Sequence, residues 1–256
     1  MSSQVYKRNE LYWGVEFQKY LLSKKVLVMG LGGVGSYSAE ALARSGVGNF
    51  LFVDFDKVVE SNINRQLLAL RCDIGKNKTD LMKERVFQIN PDINIECITD
   101  FYTPSVNEKI LEFKPDYVVD AIDTLKSKID LIELCKINNI PIISSMGAGN
   151  RINPEELRIC DISEINIKKC HFAKNFKYRL KVRGITSGLT VLSSNERPYN
   201  LEKNVYFDEI KTQDGETIDL RKFTPASTPF VPPVAGYMIA SYVVRDFLSE
   251  FKSFQK

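Results

Sequence analysis

A glycine-rich segment, Gly30-Leu31-Gly32-Gly33-Val34-Gly35-Ser36, is of the kind that binds phosphate groups. It follows a short apolar run and opens an amphipathic stretch, so its glycines fall between a strand and a helix. There the backbone can turn sharply and approach a phosphate, while the helix amino terminus supplies N–H donors and a partial positive charge. Asp54 lies 19 residues after Gly35, at the end of the next apolar run, where a carboxylate can accept hydrogen bonds from ribose hydroxyls. The predicted nucleotide-binding residues are Gly30, Gly32, Gly33, Gly35 and Asp54.

This pattern alone also suits a nicotinamide-dependent oxidoreductase or a non-catalytic nucleotide sensor. An enzyme that uses ATP needs, in addition, cations around the triphosphate and a carboxylate for Mg²⁺. Such residues follow the later strand-like runs, and the candidates are Asp56, Asn62, Arg65, Lys78 and Asp123. Each has an ordinary structural explanation: Lys78 as a solvated helix start, Arg65 as a surface charge, Asp123 as a helix N-cap. Their joint occurrence favours ATP and Mg²⁺.

The elements that must position these residues alternate between strand and helix patterns over residues 24–146. Such alternation predicts an α/β fold, a Rossmann-like, doubly wound and mainly parallel sheet with helices on both faces. Strands are predicted at 26–29, 50–53, 93–98, 117–119 and 140–143, and helices at 36–45, 78–89 and 125–138.

Beyond residue 149 the pattern weakens. Strands are predicted at 157–159 and 190–192, helices at 172–182 and 234–248, and a long loop or lid at 195–230 with a turn signal at 212–215. We expect one domain over residues 1–256, in which 1–150 form the ATP-binding core and 151–256 supply substrate-recognition and dimer elements.

Composition narrows the function class. The net charge of +3 is too mild to identify a nucleic-acid binder, so only local clustering of charge can do so. Five cysteines without a C-x-x-C pair, and one histidine, disfavour a disulfide framework, a structural zinc site and a Ser-His-Asp triad. No secretory signal is evident, and the longest apolar stretch, 234–248, is broken by Arg245 and Asp246. We therefore expect a cytoplasmic protein without a membrane span, with peripheral membrane association as the alternative.

The motifs V-L-V-M-G-L-G-G-V-G-S, F-V-D-F-D, S-N-I-N-R-Q, G-K-N-K, I-N-P and D-A-I-D occur in this order. They resemble those of the adenylating enzymes related to MoeB, ThiF and the ubiquitin-activating enzymes, densely over residues 5–150. The resemblance implies that Gly33 lies under the phosphates, Asp54 holds the ribose and Asp123 binds Mg²⁺. It also implies that Arg8 reaches across a homodimer interface to the partner's ATP. The triphosphate contacts that it implies are Asn62, Arg65 and Lys78.

Within that family, the two C-x-x-C zinc pairs usual in MoeB-like and ThiF-like enzymes are missing. R-N-E-L-Y-W-G, A-L-A-R-S-G-V-G, D-I-S, R-L-K-V-R-G-I and F-V-P-P-V-A-G instead resemble the tRNA threonylcarbamoyladenosine dehydratases, over nearly the whole chain. That resemblance implies adenylation of the threonyl carboxylate of a modified adenosine beside the tRNA anticodon. The nucleoside's own ureido nitrogen then closes a ring, with net loss of water. The implied partners are tRNA and a second copy of the chain, and a sulfur-transfer or redox partner protein is left open.

One departure concerns Cys170-His171, which stands where these enzymes usually have Asp-Pro. We interpret the pair as a small residue and a partly exposed histidine in a loop. A catalytic cysteine is the alternative and belongs to a second hypothesis, in which the protein activates a ubiquitin-like sulfur carrier and forms a thioester at Cys170. The other cysteines, Cys72, Cys97, Cys135 and Cys160, are expected in the core.

Residues 168–183 hold seven Lys or Arg and no Asp or Glu. In a helix, Phe172, Phe176 and Leu180 would share one inward face. A solvated surface is the usual explanation for a charged run, but a run of one sign beyond the nucleotide-binding half favours RNA phosphate binding. The predicted RNA-binding residues are Lys174, Lys177, Arg179, Lys181 and Arg183.

Overall fold

A computed structural model of the chain describes residues 4–167, 170–199, 205–211, 217–223 and 225–254. Its sheets contain nine strands within these ranges: β1 Lys25–Met29, β2 Asn49–Val53, β3 Asn94–Ile98, β4 Tyr117–Asp120, β5 Ile142–Ser145, β6 Leu157–Asp161, β7 Thr190–Ser194, β8 Val205–Lys211 and β9 Thr217–Phe223. Seven of them form one sheet in the order β3-β2-β1-β4-β5-β7-β6, and β8 and β9 pair separately as an antiparallel ribbon. All neighbours in the large sheet are parallel except β6 and β7, which confirms the α/β, mainly parallel fold.

The central strands β1, β2 and β4 are runs of apolar residues because both of their faces are covered. Their register brings their carboxyl ends to one level: Met29 of β1 is aligned with Val53 of β2 and with Asp120 of β4. The segments that follow these strands therefore meet at one edge of the sheet, where α/β sheets bind ligands.

The helices cover both faces, as the sequence predicts. Their bounds are α1 Lys7–Trp13, α2 Val15–Ser23, α3 Gly35–Ser45, α4 Lys78–Ile89, α5 Asn107–Phe113, α6 Leu125–Ile137, α7 His171–Val182 and α8 Val231–Phe254. Apolar residues of α2, α3, α4 and α8 form a core on one face of the sheet. Those of α5, α6 and α7 form the other core.

The prediction of a long loop or lid over 195–230 is wrong for two segments, because β8 and β9 lie within it. Both carry the period-two alternation of a strand, as in T-I-D-L-R of β9. The prediction failed because charged residues stand between the apolar ones, so that the composition of 195–230 resembles that of a loop. The turn signal at 212–215 lies outside the described residues. None of the described helices, including the 24-residue α8, combines the length and the apolar character needed to cross a bilayer.

Candidate active site

A cavity of about 860 Å³ opens at the carboxyl ends of β1, β2, β4 and β5. One end is walled by the glycine-rich segment together with Asp54, Arg65, Lys78 and Asp123, and the other by Gly147–Arg151 and Cys170–Phe172. A second large cleft, of about 780 Å³, lies near Lys24, Tyr117 and Pro141 at the amino ends of the strands. Since ligands of open α/β sheets bind at the carboxyl ends, the first cavity is the candidate active site.

The glycine-rich segment turns from β1 into α3, and at Gly30 and Gly35 it leaves no room for a side chain. Gly30 has φ +89°, in the left-handed region that favours glycine. A Cβ on Gly35 would lie 1.8 Å from the carbonyl oxygen of Gly30, so residue 35 must be glycine. Because α3 begins at Gly35, its amino terminus, with the partial positive charge of a helix start, lies at the cavity end formed by this turn. This geometry is that of an anion-binding helix terminus.

Asp54 follows β2, and its carboxylate accepts hydrogen bonds from two backbone N–H groups. Its Oδ2 accepts a hydrogen bond from the Leu31 N–H at 2.5 Å, and its Oδ1 accepts one from the Asp56 N–H at 2.8 Å. The residue is 8% exposed, and burial raises its pKa while nearby Lys78 acts in the opposite direction. These bonds fix the carboxylate against the glycine-rich turn, at the place where the sequence predicts a ribose ligand.

Lys78 is the first residue of α4, but it is not a solvated helix start, so that alternative explanation is wrong. It is only 2% exposed, and its Nζ donates to Asp56 Oδ2 at 2.7 Å. The carboxylates of Asp54 and Asp56 thus compensate a cation that lies in the cavity wall.

The S-N-I-N-R-Q segment brings Arg65, but not Asn62, to the cavity. Arg65 Nη1 donates to the Ser61 carbonyl at 2.7 Å and to Asn64 Oδ1 at 2.9 Å, and burial lowers its pKa. Asn62 is buried outside the lining, and its Oδ1 accepts from the Val59 N–H at 3.4 Å. In this structure, Asn62 stabilises the turn that carries Arg65.

Asp123 lies in the loop between β4 and α6, exposed to the cavity. The N-cap position of α6 is occupied by Thr124, so the alternative explanation of Asp123 as an N-cap is wrong. The Thr124 hydroxyl donates to Asp123 Oδ1 at 3.4 Å. No group of three or more His, Cys, Asp or Glu within the described ranges is arranged to hold a metal ion. A single carboxylate suits Mg²⁺ that is held mainly by substrate phosphates.

A buried polar network under this loop was missed by sequence reasoning. Lys128 of α6 is 0% exposed, and its Nζ donates to Asp120 Oδ2 at 2.7 Å and to Ser144 Oγ at 3.2 Å. Ser144 Oγ also donates to Asp120 Oδ2, and Asp120 Oδ1 accepts from the Ile122 N–H at 3.1 Å. The available signal was a lysine among the apolar positions of α6, eight residues after the first Asp of D-A-I-D.

The opposite end of the cavity contains another residue that sequence analysis did not identify, Arg151. Arg151 is buried, and its Nη1 donates to the carbonyl oxygens of Gly147 and Gly149. Its Nη2 lies 3.5 Å from Cys170 Sγ, and its Nε has no hydrogen-bond partner in the described part of the chain. Cys170 precedes α7 and His171 is its first residue, so the predicted loop position is wrong for His171, and both residues line the cavity.

The remaining cysteines divide differently from the expectation. Burial raises the pKa of Cys135 to about 12 and that of Cys97 to about 11, as suits core thiols. Cys160 is partly buried, and burial also raises its pKa. The expectation that Cys72 lies in the core is wrong, because it is exposed in a 3-10 turn at Arg71–Asp73.

Helix α7 carries the basic run, of which residues 168 and 169 lie outside the described residues. Phe176 and Leu180 are fully buried and Phe172 partly so, which confirms the predicted inward face. Lys174, Arg179 and Lys181 are exposed. Lys177 donates to the Ser163 carbonyl at 2.7 Å, and Arg183 pairs with Asp130 and Glu133 of α6. The last two cations are therefore partly engaged within the protein.

Arg8 lies on the exposed side of α1, outside the cavity lining of its own chain. The helix is anchored by Tyr6, whose hydroxyl donates to the Ala43 carbonyl at 3.1 Å, and by Asn9, which donates to the Arg44 carbonyl. This firm attachment holds Arg8 at a defined place on the surface.

Comparison with known proteins gives a consistent result. The model of the ThiF family matches residues 6–245. The tRNA threonylcarbamoyladenosine dehydratase of Bacillus subtilis is 41% identical over 251 residues, which are 96% of both chains. The crystal structure of the Escherichia coli tRNA N6-threonylcarbamoyladenosine dehydratase TcdA in complex with AMP has a TM-score of 0.84 and 27% identity, with 99% of each chain covered. The same enzyme in complex with ATP has a TM-score of 0.82 and 28% identity, covering 98% of this chain and 96% of that one.

Proposed function

The chain belongs to the ThiF family, and on that premise we propose that it dehydrates threonylcarbamoyladenosine in tRNA at the expense of ATP. It is an ATP-using, tRNA-modifying enzyme, and it matches the B. subtilis tRNA threonylcarbamoyladenosine dehydratase over 96% of both chains. The observation that carries the proposal is the cavity in which a glycine-rich helix start, Asp54 and Lys78 converge, since the helix start and the lysine suit a triphosphate and the carboxylate suits the ribose hydroxyls of ATP.

In the first step, an oxygen of the threonyl carboxylate attacks the α-phosphorus of ATP and pyrophosphate leaves. Both reactants are anions, so the site must offset their repulsion. Arg65 and Lys78 lie in the cavity wall and would supply positive charge for this purpose, and the α3 amino terminus would add its partial positive charge. Asp123 is the residue that we assign to Mg²⁺, which supplies charge neutralisation at the departing pyrophosphate when bound.

In the second step, the ureido nitrogen of the same nucleoside attacks the acyl carbon, and AMP leaves with the carboxylate oxygen. The nitrogen loses its proton, so the ring forms with net loss of water. The two reacting groups belong to one molecule, so proximity replaces an enzyme nucleophile. The cavity end at Gly147–Arg151 and His171 is open to hold the modified nucleoside beside the nucleotide.

We assign the remaining sequence predictions to the same enzyme. Arg8, on a firmly attached surface helix, would complete the site of the other subunit in a homodimer. The exposed cations of α7 would bind tRNA phosphates. The chain would act in the cytoplasm as one domain of residues 1–256, with its ATP-binding core in 1–150 and its substrate and dimer elements in 151–256.

The test is incubation of the full chain with ATP, Mg²⁺ and tRNA that contains threonylcarbamoyladenosine. Mass spectrometry of the nucleosides should show the loss of one water, with one AMP and one pyrophosphate formed per ring closed. Omitting ATP is the control. Consumption of ATP without any change in the nucleoside would contradict the proposed substrate.

A second candidate, activation of a ubiquitin-like sulfur carrier, is favoured by one observation. Cys170 lies in the cavity wall, 3.5 Å from a guanidinium nitrogen of Arg151. This function requires a thioester at Cys170 with a small protein that ends in Gly-Gly. A covalent adduct that is lost in Cys170→Ala would support it, whereas ring closure by Cys170→Ala would exclude an essential thiol.

A further inference from the structure

A row of residues on the outer surface of α7 leads away from the candidate active site. His171, at the start of the helix, lines the cavity. Tyr178 lies seven residues further along, so it is only about 20° from His171 around the helix and about 10 Å along its axis. A chain that leaves the cavity over His171 therefore meets Tyr178 two turns later.

Tyr178 stands at the centre of the exposed face of this helix. It is 69% exposed, and it lies about 160° around the helix from both Phe176 and Leu180, which are fully buried. Val182, one turn further on, is 68% exposed. An exposed ring of this kind contributes nothing to the core, so its face is available to a partner.

Cations flank the ring on one side. Lys174 and Lys181 are exposed and lie about 40° and 60° from Tyr178 around the helix. Neither takes part in the ion pairs found among the described residues, in contrast to Arg183 at the end of the helix. The face thus combines an aromatic platform with two uncompensated positive charges.

We propose that this face binds the single-stranded loop of the substrate RNA, with an unpaired base close to the modified nucleoside stacked on Tyr178. The inference rests on the proposed function and adds to it a base-stacking position. Single-stranded RNA is bound by aromatic rings that stack on unpaired bases and by cations that contact its phosphates. At about 3.4 Å per stacked nucleotide, the distance from His171 to Tyr178 corresponds to about three nucleotides.

The experiment measures binding of an RNA stem-loop that carries threonylcarbamoyladenosine in its loop to the full chain, by fluorescence anisotropy over a range of salt concentrations. Tyr178→Ala should weaken binding roughly 5- to 150-fold, as loss of one stacked base does. Tyr178→Phe keeps the ring and should stay within about twofold. Val182→Ala removes exposed apolar area from the same face without removing a ring, and is the matched control.

Salt dependence separates stacking from charge. Tyr178→Ala should leave the slope of log affinity against log salt unchanged. Lys174→Ala with Lys181→Ala should lower that slope by roughly 0.7 per lost contact with a single strand. An abasic nucleotide placed in turn at each of the three positions on either side of the modified one should weaken wild-type binding at one of them. The same abasic substitution should weaken RNA binding by Tyr178→Ala little further, because that variant has no ring on which the base could stack.

Each other outcome is decisive. If Tyr178→Ala binds the stem-loop as tightly as Val182→Ala while wild type binds and converts it, the stacking position is wrong and the proposed function stands. If Tyr178→Ala instead weakens self-association without affecting RNA affinity, the face is a contact between copies of the chain, and the inference fails. If wild type neither binds nor converts the RNA, the proposed function itself fails.

Discussion

Replacing Lys128 by Met tests whether the buried network under the Asp123 loop stabilises the protein or positions the loop. Lys128 and Asp120 are both 0% exposed and lie 2.7 Å apart. Burial lowers the pKa of Lys128, and the Asp120 carboxylate acts against that effect. Methionine replaces the aliphatic part of the side chain but removes the ammonium group, so Asp120 is left without a cation in a place that water does not reach.

The expected loss of stability follows from that geometry. Removing one partner of a buried ion pair costs about 3–5 kcal/mol, because the other charge must stay unpaired or take up a proton. Asp120→Asn in the Lys128→Met background removes that charge as well and should restore most of the loss, since a neutral replacement of a buried pair is often neutral or stabilising. Lys126→Met, on the exposed side of the same helix, should stay within about 0.5 kcal/mol of wild type.

Urea unfolding measures these free energies, and its midpoint and slope separate a change in stability from a change in the unfolded state. In Lys128→Met the Asp120 carboxyl can take up a proton. If it does, the loss in free energy of unfolding relative to wild type should shrink as the pH falls, by up to about 1.4 kcal/mol per pH unit. Lys128→Met as stable as Lys126→Met would refute the reasoning.

The double variant then separates stability from position. Asp120 Oδ1 holds the Ile122 N–H, and Ile122 precedes Asp123. If Lys128 fixes Asp120 for this purpose, the folded double variant should turn over at least about tenfold more slowly, equivalent to about 1.4 kcal/mol, and should need more Mg²⁺. A stable double variant with wild-type turnover would show that the pair serves stability alone.

Three further predictions concern the chemistry. Asp123→Ala should fold but lose adenylation by several kcal/mol at the transition state, measured as pyrophosphate exchange with substrate present; near-normal exchange would remove Asp123 from the mechanism. An Arg8→Ala chain mixed with an Arg65→Ala chain should regain part of the activity, because one site of each mixed dimer is then intact; verified heterodimers without rescue would argue that Arg8 acts within its own chain. Cys170→Ala should still close the ring of threonylcarbamoyladenosine, because that step needs no enzyme nucleophile; complete loss of ring closure with normal ATP binding would favour a catalytic thiol.

The nucleotide half was predictable because each of its signals is local. A glycine-rich turn between an apolar run and a helix fixes its own backbone path, and Asp54 lies at the end of the next strand by simple counting. Since parallel strands end at one edge, the order of the strands along the chain already brings these segments together. The register of Met29 with Val53 and Asp120 confirms that placement.

The missed residues depend on contacts that a sequence pattern does not contain. Lys128 and Ser144 meet only because α6 packs over β4 and β5, and nothing in either segment alone indicates a partner. Arg151 lies in the cavity wall because the chain after β5 bends back toward α7. The difference between Asn62 and Arg65 is likewise three-dimensional, since the short turn directs one side chain inward and the other to the cavity.

The choice of Asp123 as the metal ligand follows from the other acids of the cavity wall. Among the described lining residues the carboxylates are those of Asp54, Asp56, Asp100 and Asp123. Asp54 accepts two backbone N–H groups, Asp56 pairs with Lys78, and Asp100 accepts from the Phe101 N–H. Asp123 accepts only a long bond from a neighbouring hydroxyl among its described contacts and is exposed to the cavity. A cation that needs carboxylate charge near the triphosphate can recruit Asp123 without breaking a short hydrogen bond, which is why we propose Asp123 as its ligand.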